Sequence, residues 1–554
     1  MPTGQVEFRR YLRDIDSISM PQFYTDVAVI GTGIAGLRAA IEAGEKCNVT
    51  LICKAGLEDS NTWNAQGGIA VALGRDDSIE SHIADTLKVG CGLCDEKIVR
   101  LVISEGPALV RQLLEWGTEF DLADGRIDVT YEGGHSHPRV AHALGDSTGK
   151  GILLALIRKI RENPRIKVME NLFVTDIITG DTGECIGVVG QNSRHDGEII
   201  WAAKTILATG GAGRLYRETT NPQIATGDGL AIAYRAGAVL RDMEFMQFHP
   251  TTLYIAGASR ALISETVRGE GGRLLDASGC RFMQDYHPSA EMAPRDVVSR
   301  AILEQMLKTN ATHVYVDVRH IPKERFAKRF PAIHTLCASF DIDVSKDLIP
   351  VRPSAHYMLG GIRVDEDART NIPNLYACGE VTSTGLHGAN RLGSNSLLEG
   401  LVFGKIAGAS AAKGIRKAGG PIKHRVIKYN VPSSDRSRLD TGDIVNSLRA
   451  LMWRNVGIIR RLKPLQEAIE IIRFWQRYVM DKAFDAPAGW ECQNMLTVAM
   501  LMAQAALTRQ ESRGVHCRED FPERDDAHFS SHIEEKKGSG RFPESLSKTA
   551  IDAV

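Results

Sequence analysis

The chain has 554 residues, enough for two to four domains, and its 43% hydrophobic and 24% charged content is ordinary for a globular protein. A formal net charge of −1 gives no electrostatic ground to expect nucleic acid or an anionic membrane as partner. No apolar run approaches the roughly 20 residues that span a bilayer, the polar N-terminus has no apolar signal core, and ten irregularly spaced cysteines fit free thiols in a reducing cytoplasm.

The first predicted element is the strand Val27–Ile30, which runs into Gly31-Thr32-Gly33-Ile34-Ala35-Gly36 and then a helix from Leu37. Strand, glycine turn and helix start follow in the order of a dinucleotide-binding βαβ unit. Gly31 permits the tight turn, Gly33 lets the backbone approach a pyrophosphate, and Gly36 lets helix and strand pack closely. The helix N-terminus offers unpaired N–H groups and partial positive charge to the phosphates. Asn48–Cys53 reads as the second strand. Its end should carry an acid for a ribose diol; Lys54 stands there instead, a departure that weakens NAD more than FAD.

Ser60–Gly68, spanning Asn61, Thr62, Trp63, Asn64, Ala65, Gln66, Gly67 and Gly68, is small, polar and glycine-paired, a loop suited to a flat polar ring. Helices are predicted over 83–90, 95–115 and 150–162, with the polar glycine loop Glu132–His137 between the last two. Cys91 and Cys94 form a CxxC without a second ligand pair, read as a loop before a helix. Four segments (167–170, 174–179, 185–191, 198–203) alternate like antiparallel strands. Thr205–Thr209 then enters Gly210-Gly211, a strand end that closes a dinucleotide site from the other side. Gly227-Asp228-Gly229 opens an amphipathic helix.

From about Leu240 the composition turns to His, Arg and Glu. Asn374–Val381 returns to a buried strand, so the nucleotide domain is expected to be interrupted and resumed. Beyond Lys423 apolar spacings of 3 and 4 predict helices over 444–461, 464–480 and 490–513, a three-helix bundle, with 521–554 as a strap and flexible tail.

GTGIAG, NTWNAQGG, EGGHSHPR, ATGG, QFHPT, RGEGG, APRD, HYMLGG, YACGE and LHGANRLGSNSLL occur in the order seen in the fumarate reductase/succinate dehydrogenase flavoprotein superfamily. Over residues 24–520 the chain most closely resembles the L-aspartate oxidase family within it. The resemblance implies an α/β (α+β multidomain) fold: a Rossmann-like FAD-binding domain (24–239 and 356–423), an α+β capping domain inserted at 240–355, and the helical domain at 436–520. Asn61 stands where the respiratory dehydrogenases carry a flavin-linked histidine, which implies noncovalent FAD.

The implied reaction oxidises L-aspartate to iminoaspartate, with O₂ (giving H₂O₂) or fumarate taking the electrons, at the first step of de novo NAD biosynthesis, with a functional link to quinolinate synthase. The alternatives are a soluble fumarate reductase, a succinate dehydrogenase flavoprotein subunit with an iron–sulfur partner, or a non-enzymatic flavin module.

By resemblance, Arg391 and His356 clamp one carboxylate. His249, Ser264 (usually threonine in the family) and Glu265 hold the other. Glu132 pairs with the substrate ammonium from a mobile loop. Arg295 either shuttles a proton, with Glu265 or Glu270 and Arg268 as its network, or only stabilises charge. For FAD, the resemblance assigns Thr32–Ala35 to the pyrophosphate, Lys54 to the adenosine side and Asn61–Gly68 to the flavin, with Val174 also in the cofactor site. Gly210, Asp228, Glu380, Ser396 and Leu397 complete the set, and no metal site is expected.

Overall fold

The computed structural model describes residues 9–74, 76–257, 260–415, 426–432 and 439–538, and the backbone of 545–550. The apolar run of the first motif forms the central strand Gln22–Ile30 of a seven-stranded sheet. Val49–Ile52 lies parallel on one side, with Val29 opposite Leu51; Gly197–Leu207 lies parallel on the other, with Val29 opposite Ile206. The near-continuous hydrophobic character of these strands is that of a parallel sheet covered on both faces.

Helix Ile34–Gly44 packs on helix Asn395–Ala412, and glycines set how closely. A Cβ on Gly400 would lie 2.7 Å from Ile34 Cγ2, on Gly404 2.6 Å from Ala35 O, and on Gly408 2.4 Å from Ala39 O. One ridge of glycines at i, i+4, i+8 thus brings two backbones together, joining the first cofactor turn to the start of the late helix.

Two strand expectations are corrected. The 167–170 segment is Ile166–Met169, parallel to Val49–Ile52 rather than antiparallel, because helix Thr148–Glu162 makes the crossover that a parallel neighbour needs. The segments at 198–203 and 205–209 are one strand, Gly197–Leu207. Its first half pairs antiparallel with Cys185–Gln191 and its last residues pair parallel with Leu375–Ala377.

The inserted region has its own four-stranded sheet, ordered Met246–Leu253, Ile349–Met358, Val314–Asp317, Arg273–Leu275. Helix Arg295–Lys308 covers it over a separate core that includes Leu253, Val267, Ile302 and Val316. Strand Ile349–Met358 runs through the 355/356 boundary, so His356 is carried on a strand of this sheet.

Helices Thr441–Asn455, Leu462–Val479 and Pro487–Thr508 pack against one another. The first ends at Asn455, short of 461, because Ile459–Arg460 leaves the helix to pair with Cys517–Arg518. The boundaries expected at 423 and 436 lie outside the described residues.

Within the stretch expected as strap and flexible tail, the described residues add strands. Ser531–Lys536 pairs with Leu240–Arg241 and with Ser545–Ala550. Its anchor is a buried charge network. Arg509 Nε donates to Glu244 Oε1 at 2.6 Å and its Nη1 to Glu511 Oε1 at 3.0 Å, while Arg513 Nε reaches the same Glu511 oxygen at 2.7 Å. All four side chains are fully buried. Removing one member of such a set leaves another buried and unpaired, whereas a half-exposed pair such as Lys405–Glu105 is screened by water. Arg509→Met is therefore expected to cost about 3–5 kcal/mol and Lys405→Met less than about 1 kcal/mol, read as the difference in urea midpoint between the two variants.

Candidate active site

A cleft of about 770 Å³ runs along the carboxyl ends of the central strands. Gly31, Thr32, Gly33, Ile34 and Ala35 line it at the first helix turn, followed by Lys54, Asn61, Thr62, Asn64, Ala65 and Gln66. Val174, Gly210, Asp228, Glu380, Ser396 and Leu397 complete the wall. Gly31 has φ +113° and a Cβ there would fall 2.1 Å from Ala208 O, so no side chain is accommodated in this turn.

Four residues expected along the cofactor do not line the cleft. Gly36 faces the Gly31 carbonyl, where a Cβ would lie 2.0 Å away; it serves helix–turn packing. Gly68 is pressed on Val140 and Ala141, and Gly67 looks toward Ser394. The Trp63 ring turns away to take Lys150 Nζ at 5.2 Å.

The remaining wall fits a long polar ligand. Asn61 Oδ1, Gln66 Oε1 and Thr209 Oγ1 are buried without a hydrogen-bond partner, and such orphans call for one. Gly33 caps the first helix without a side-chain bond of its own; Ile34 N donates to Thr62 Oγ1 at 3.2 Å, and the helix N-terminus as a whole favours an anion. FAD matches this combination of anion turn, long groove and polar wall. Asn61 Nδ2 donates to Glu380 Oε2 at 3.0 Å; an amide forms no covalent bond to a flavin. Glu380 also accepts from Met358 N at 3.0 Å, and burial pushes its carboxyl up. Lys54 differs most from expectation: its ammonium donates to Thr226 Oγ1 at 2.8 Å, Asp228 Oδ2 at 2.7 Å and Glu491 Oε1 at 2.8 Å.

Beyond the cleft's inner end the predicted substrate residues converge from six segments. Arg295, the first residue of its helix, donates from Nε to Glu265 Oε2 at 2.6 Å and from Nη1 to Gln247 Oε1 at 3.3 Å. Arg268 Nη2 lies 3.3 Å from Glu265 Oε1. A Cβ built on Gly393 would sit 3.1 Å from Glu132 Oε2, 3.4 Å from Arg295 Nη2 and 3.6 Å from Glu265 Oε2, so three charged heads surround one glycine turn.

Glu132 is buried rather than set on a solvated loop. Thr266 Oγ1 donates to its Oε1 at 3.0 Å and Ser394 Oγ to its Oε2 at 2.7 Å. Burial, then the neighbouring Glu265 charge, pushes the Glu132 carboxyl up against the pull of Arg295. Burial also acts on Glu265, but Arg295 and Arg268 outweigh it and hold that carboxyl below its usual range. Glu270 does not join them; it lies past the end of the short helix Glu265–Gly269 and bonds Arg325. Ser264 caps that helix, its hydroxyl 3.2 Å from Thr266 Oγ1.

His249 and His356 stand edge to ring, centroids 5.2 Å apart and planes inclined at 64°. Burial, then Arg295, keeps both well below the usual histidine range and therefore neutral. Thr251 N donates to His249 Nδ1 at 3.2 Å; in the tautomer that accepts this bond, Nε2 bears the proton, and that nitrogen is a buried orphan. His356 Nδ1 is bonded to Thr220 Oγ1 at 2.8 Å. Arg391 packs over Tyr357 at 4.5 Å and donates to Ser396 Oγ at 3.1 Å, and its Nε is a further orphan.

Sequence reasoning missed Gln247, Thr266 and Ser394, although each lies in or beside a quoted motif. Glu491 gave no local signal, because it comes from the C-terminal helices.

A family model described as FAD binding domain matches residues 26–397, and one described as Fumarate reductase flavoprotein C-term matches 445–541. The L-aspartate oxidase of Streptomyces coelicolor is 41% identical, covering 92% of this chain and 90% of that protein. The L-aspartate oxidase of Yersinia pestis is 40% identical over 91% and 97%. A solved quinol-fumarate reductase with menaquinol molecules superposes with a TM-score of 0.88 at 34% identity, over 97% of this chain and 99% of that one. The chain is thus a member of the L-aspartate oxidase family, within the FAD-binding fumarate reductase/succinate dehydrogenase flavoproteins.

Proposed function

We propose that the protein oxidises L-aspartate to iminoaspartate with noncovalent FAD, and that O₂ or fumarate then takes the electrons. The observation that carries this reading is the buried charge set of Glu132, Arg295 and Glu265 around Gly393, with Arg268 on Glu265 and the buried Arg391. On the substrate side, three guanidiniums (Arg268, Arg295, Arg391) face two carboxylates (Glu132, Glu265), both histidines being neutral. With Glu132 ionised the set has net charge +1, which the −1 of aspartate neutralises. With Glu132 protonated it has net charge +2, which matches a dicarboxylate without an ammonium, such as fumarate. One carboxyl group whose pKa is raised thus fits the site to both partners.

When bound, FAD supplies the acceptor for the hydride that leaves the substrate α-carbon. The chain's residues bind and orient the substrate. Arg391 and His356 hold one carboxylate, while His249 Nε2 and the Ser264–Glu265 turn hold the other. Glu132 pairs with the ammonium and fixes which carbon faces the flavin. Arg295 Nη2, kept in place by Glu265 and Gln247, holds the proton that moves between substrate and protein. A free guanidinium does not give up its proton near neutral pH, so a proton taken up at Nη2 is matched by one passed from Nε to the ionised Glu265 Oε2 across the 2.6 Å bond.

Among the described residues no helix is long and apolar enough to cross a membrane; a cytoplasmic location accords with this. The imine product hydrolyses readily in water, which accords with consumption by quinolinate synthase at the start of NAD synthesis. Aerobic incubation with L-aspartate is expected to give one H₂O₂ and one ammonia per substrate; H₂O₂ formation from succinate but not aspartate would overturn the reading.

Glu132→Gln mimics the neutral carboxyl. It is expected to lower kcat/KM for L-aspartate about a hundredfold while changing fumarate reduction less than about threefold. Equal losses in both would contradict the pairing. In the parent protein, kcat/KM for aspartate should rise with pH through the raised Glu132 pKa, and fumarate reduction should fall across the same limb. The glutamine variant should lose both limbs.

A further inference from the structure

Ser394 combines three features that a helix start does not require. It is the N-cap of helix Asn395–Ala412, yet its side chain makes no capping bond, although serine is favoured there because it can accept from the first-turn amides. Its backbone is left-handed, with φ +62°, a conformation that costs a residue with a side chain energy and persists only where the surroundings enforce it. Its buried hydroxyl instead donates to Glu132 Oε2 at 2.7 Å, a partner 262 residues away in the chain.

The surroundings do enforce it. Ala70 N donates to the Ser394 carbonyl at 3.0 Å, and His135 Nε2 donates to the Gly393 carbonyl at 3.1 Å. Asn395 is bonded through Oδ1 to His82 Nε2 at 2.8 Å and donates from Nδ2 to Thr86 Oγ1 at 3.1 Å. Strand Ile69–Ala70, helix Ile79–Val89 and the loop at 132–137 thus pin one turn, and the Ser394 hydroxyl with it. Thr266 Oγ1 holds the other Glu132 oxygen, so among the described residues both hydrogen bonds to this carboxyl come from neutral hydroxyls. The charged groups that act on it are Glu265, Arg295 and Arg268.

We propose that Ser394 is a specificity-determining positioning residue: its hydroxyl fixes the Glu132 carboxylate as the partner of the substrate ammonium, and so favours an amino-dicarboxylate over a dicarboxylate without an amine. This rests on the reading of Glu132 as the ammonium partner. A donor to an ionised carboxyl favours that form over the protonated one. Loss of the hydroxyl therefore raises the Glu132 pKa further above its usual range, toward the state that suits fumarate.

The test is kcat/KM against pH, for L-aspartate oxidation and for fumarate reduction, in FAD-loaded Ser394→Gly and Ser394→Ala. Both variants lose the hydroxyl; glycine suits the left-handed turn, whereas alanine keeps a side chain in it. In both, the aspartate limb is expected to move up by about one pH unit, the worth of one hydrogen bond to a carboxylate. At a fixed pH on that limb aspartate oxidation then falls about tenfold, while fumarate reduction holds or rises. An unmoved limb in either variant, or equal losses with both substrates, would overturn the proposal. Added to Glu132→Gln, Ser394→Gly is expected to change aspartate kcat/KM less than about twofold, because the carboxylate it serves is gone. A full additional loss would overturn the proposal and assign the serine to the helix start. Equal losses with both substrates in Glu132→Gln alone would overturn the ammonium pairing, and the proposal with it.

Discussion

The active region depends on the pairing of buried charge. Arg295 and Glu265 meet at 2.6 Å with almost no exposure on either side chain. Taking either ion out of water alone costs several kcal/mol, so each holds the other, and Arg268 closes the other side of the same carboxylate. This arrangement leaves excess positive charge in a dry space. Such a space is stabilised when compensating negative charge arrives.

Several architectural features exist to bring these groups together. The glycine ridge at 400, 404 and 408 draws the late helix against the first one, which puts Ser396 and Leu397 on the wall of the cleft that the glycine turn at residue 31 also lines. The inserted sheet carries His249 and His356 on paired strands and presents Arg295 at the start of the helix covering that sheet. The buried network of Arg509, Glu511 and Arg513 ties the last strand and the helical bundle to Glu244, three residues from Gln247. The residues proposed to hold the substrate thus lie where the nucleotide domain, the inserted domain and the polar loop at 132–137 meet.

Much of this was legible in the sequence because the chemistry demands local patterns. A glycine turn between strand and helix announces itself at residues 31–36, and alternation marks the strands on either side. The motifs containing His249, Glu265, Arg295, His356 and Arg391 each sit on a short segment. What was not legible is what distant segments decide. Trp63 and Gly68 share a motif with Asn61 and Gln66, yet their side of the loop is taken by Lys150 and by Val140. Strand polarity at 166–169 is set by the helix before it rather than by its own alternation. Glu132 reads as a loop acid, and only Thr266 and Ser394, each far away in sequence, reveal it as a buried carboxyl. The partners of Lys54 follow the same rule, since Glu491 lies on the far side of the chain.

The central claim is that this charge set selects a C4 dicarboxylate bearing an ammonium and directs its electrons to the flavin. Anaerobic mixing of the FAD-loaded protein with L-aspartate, and separately with succinate, tests it most directly through the flavin absorbance near 450 nm. Bleaching by L-aspartate and not by succinate is the predicted result. Bleaching by succinate with no response to L-aspartate would contradict the account.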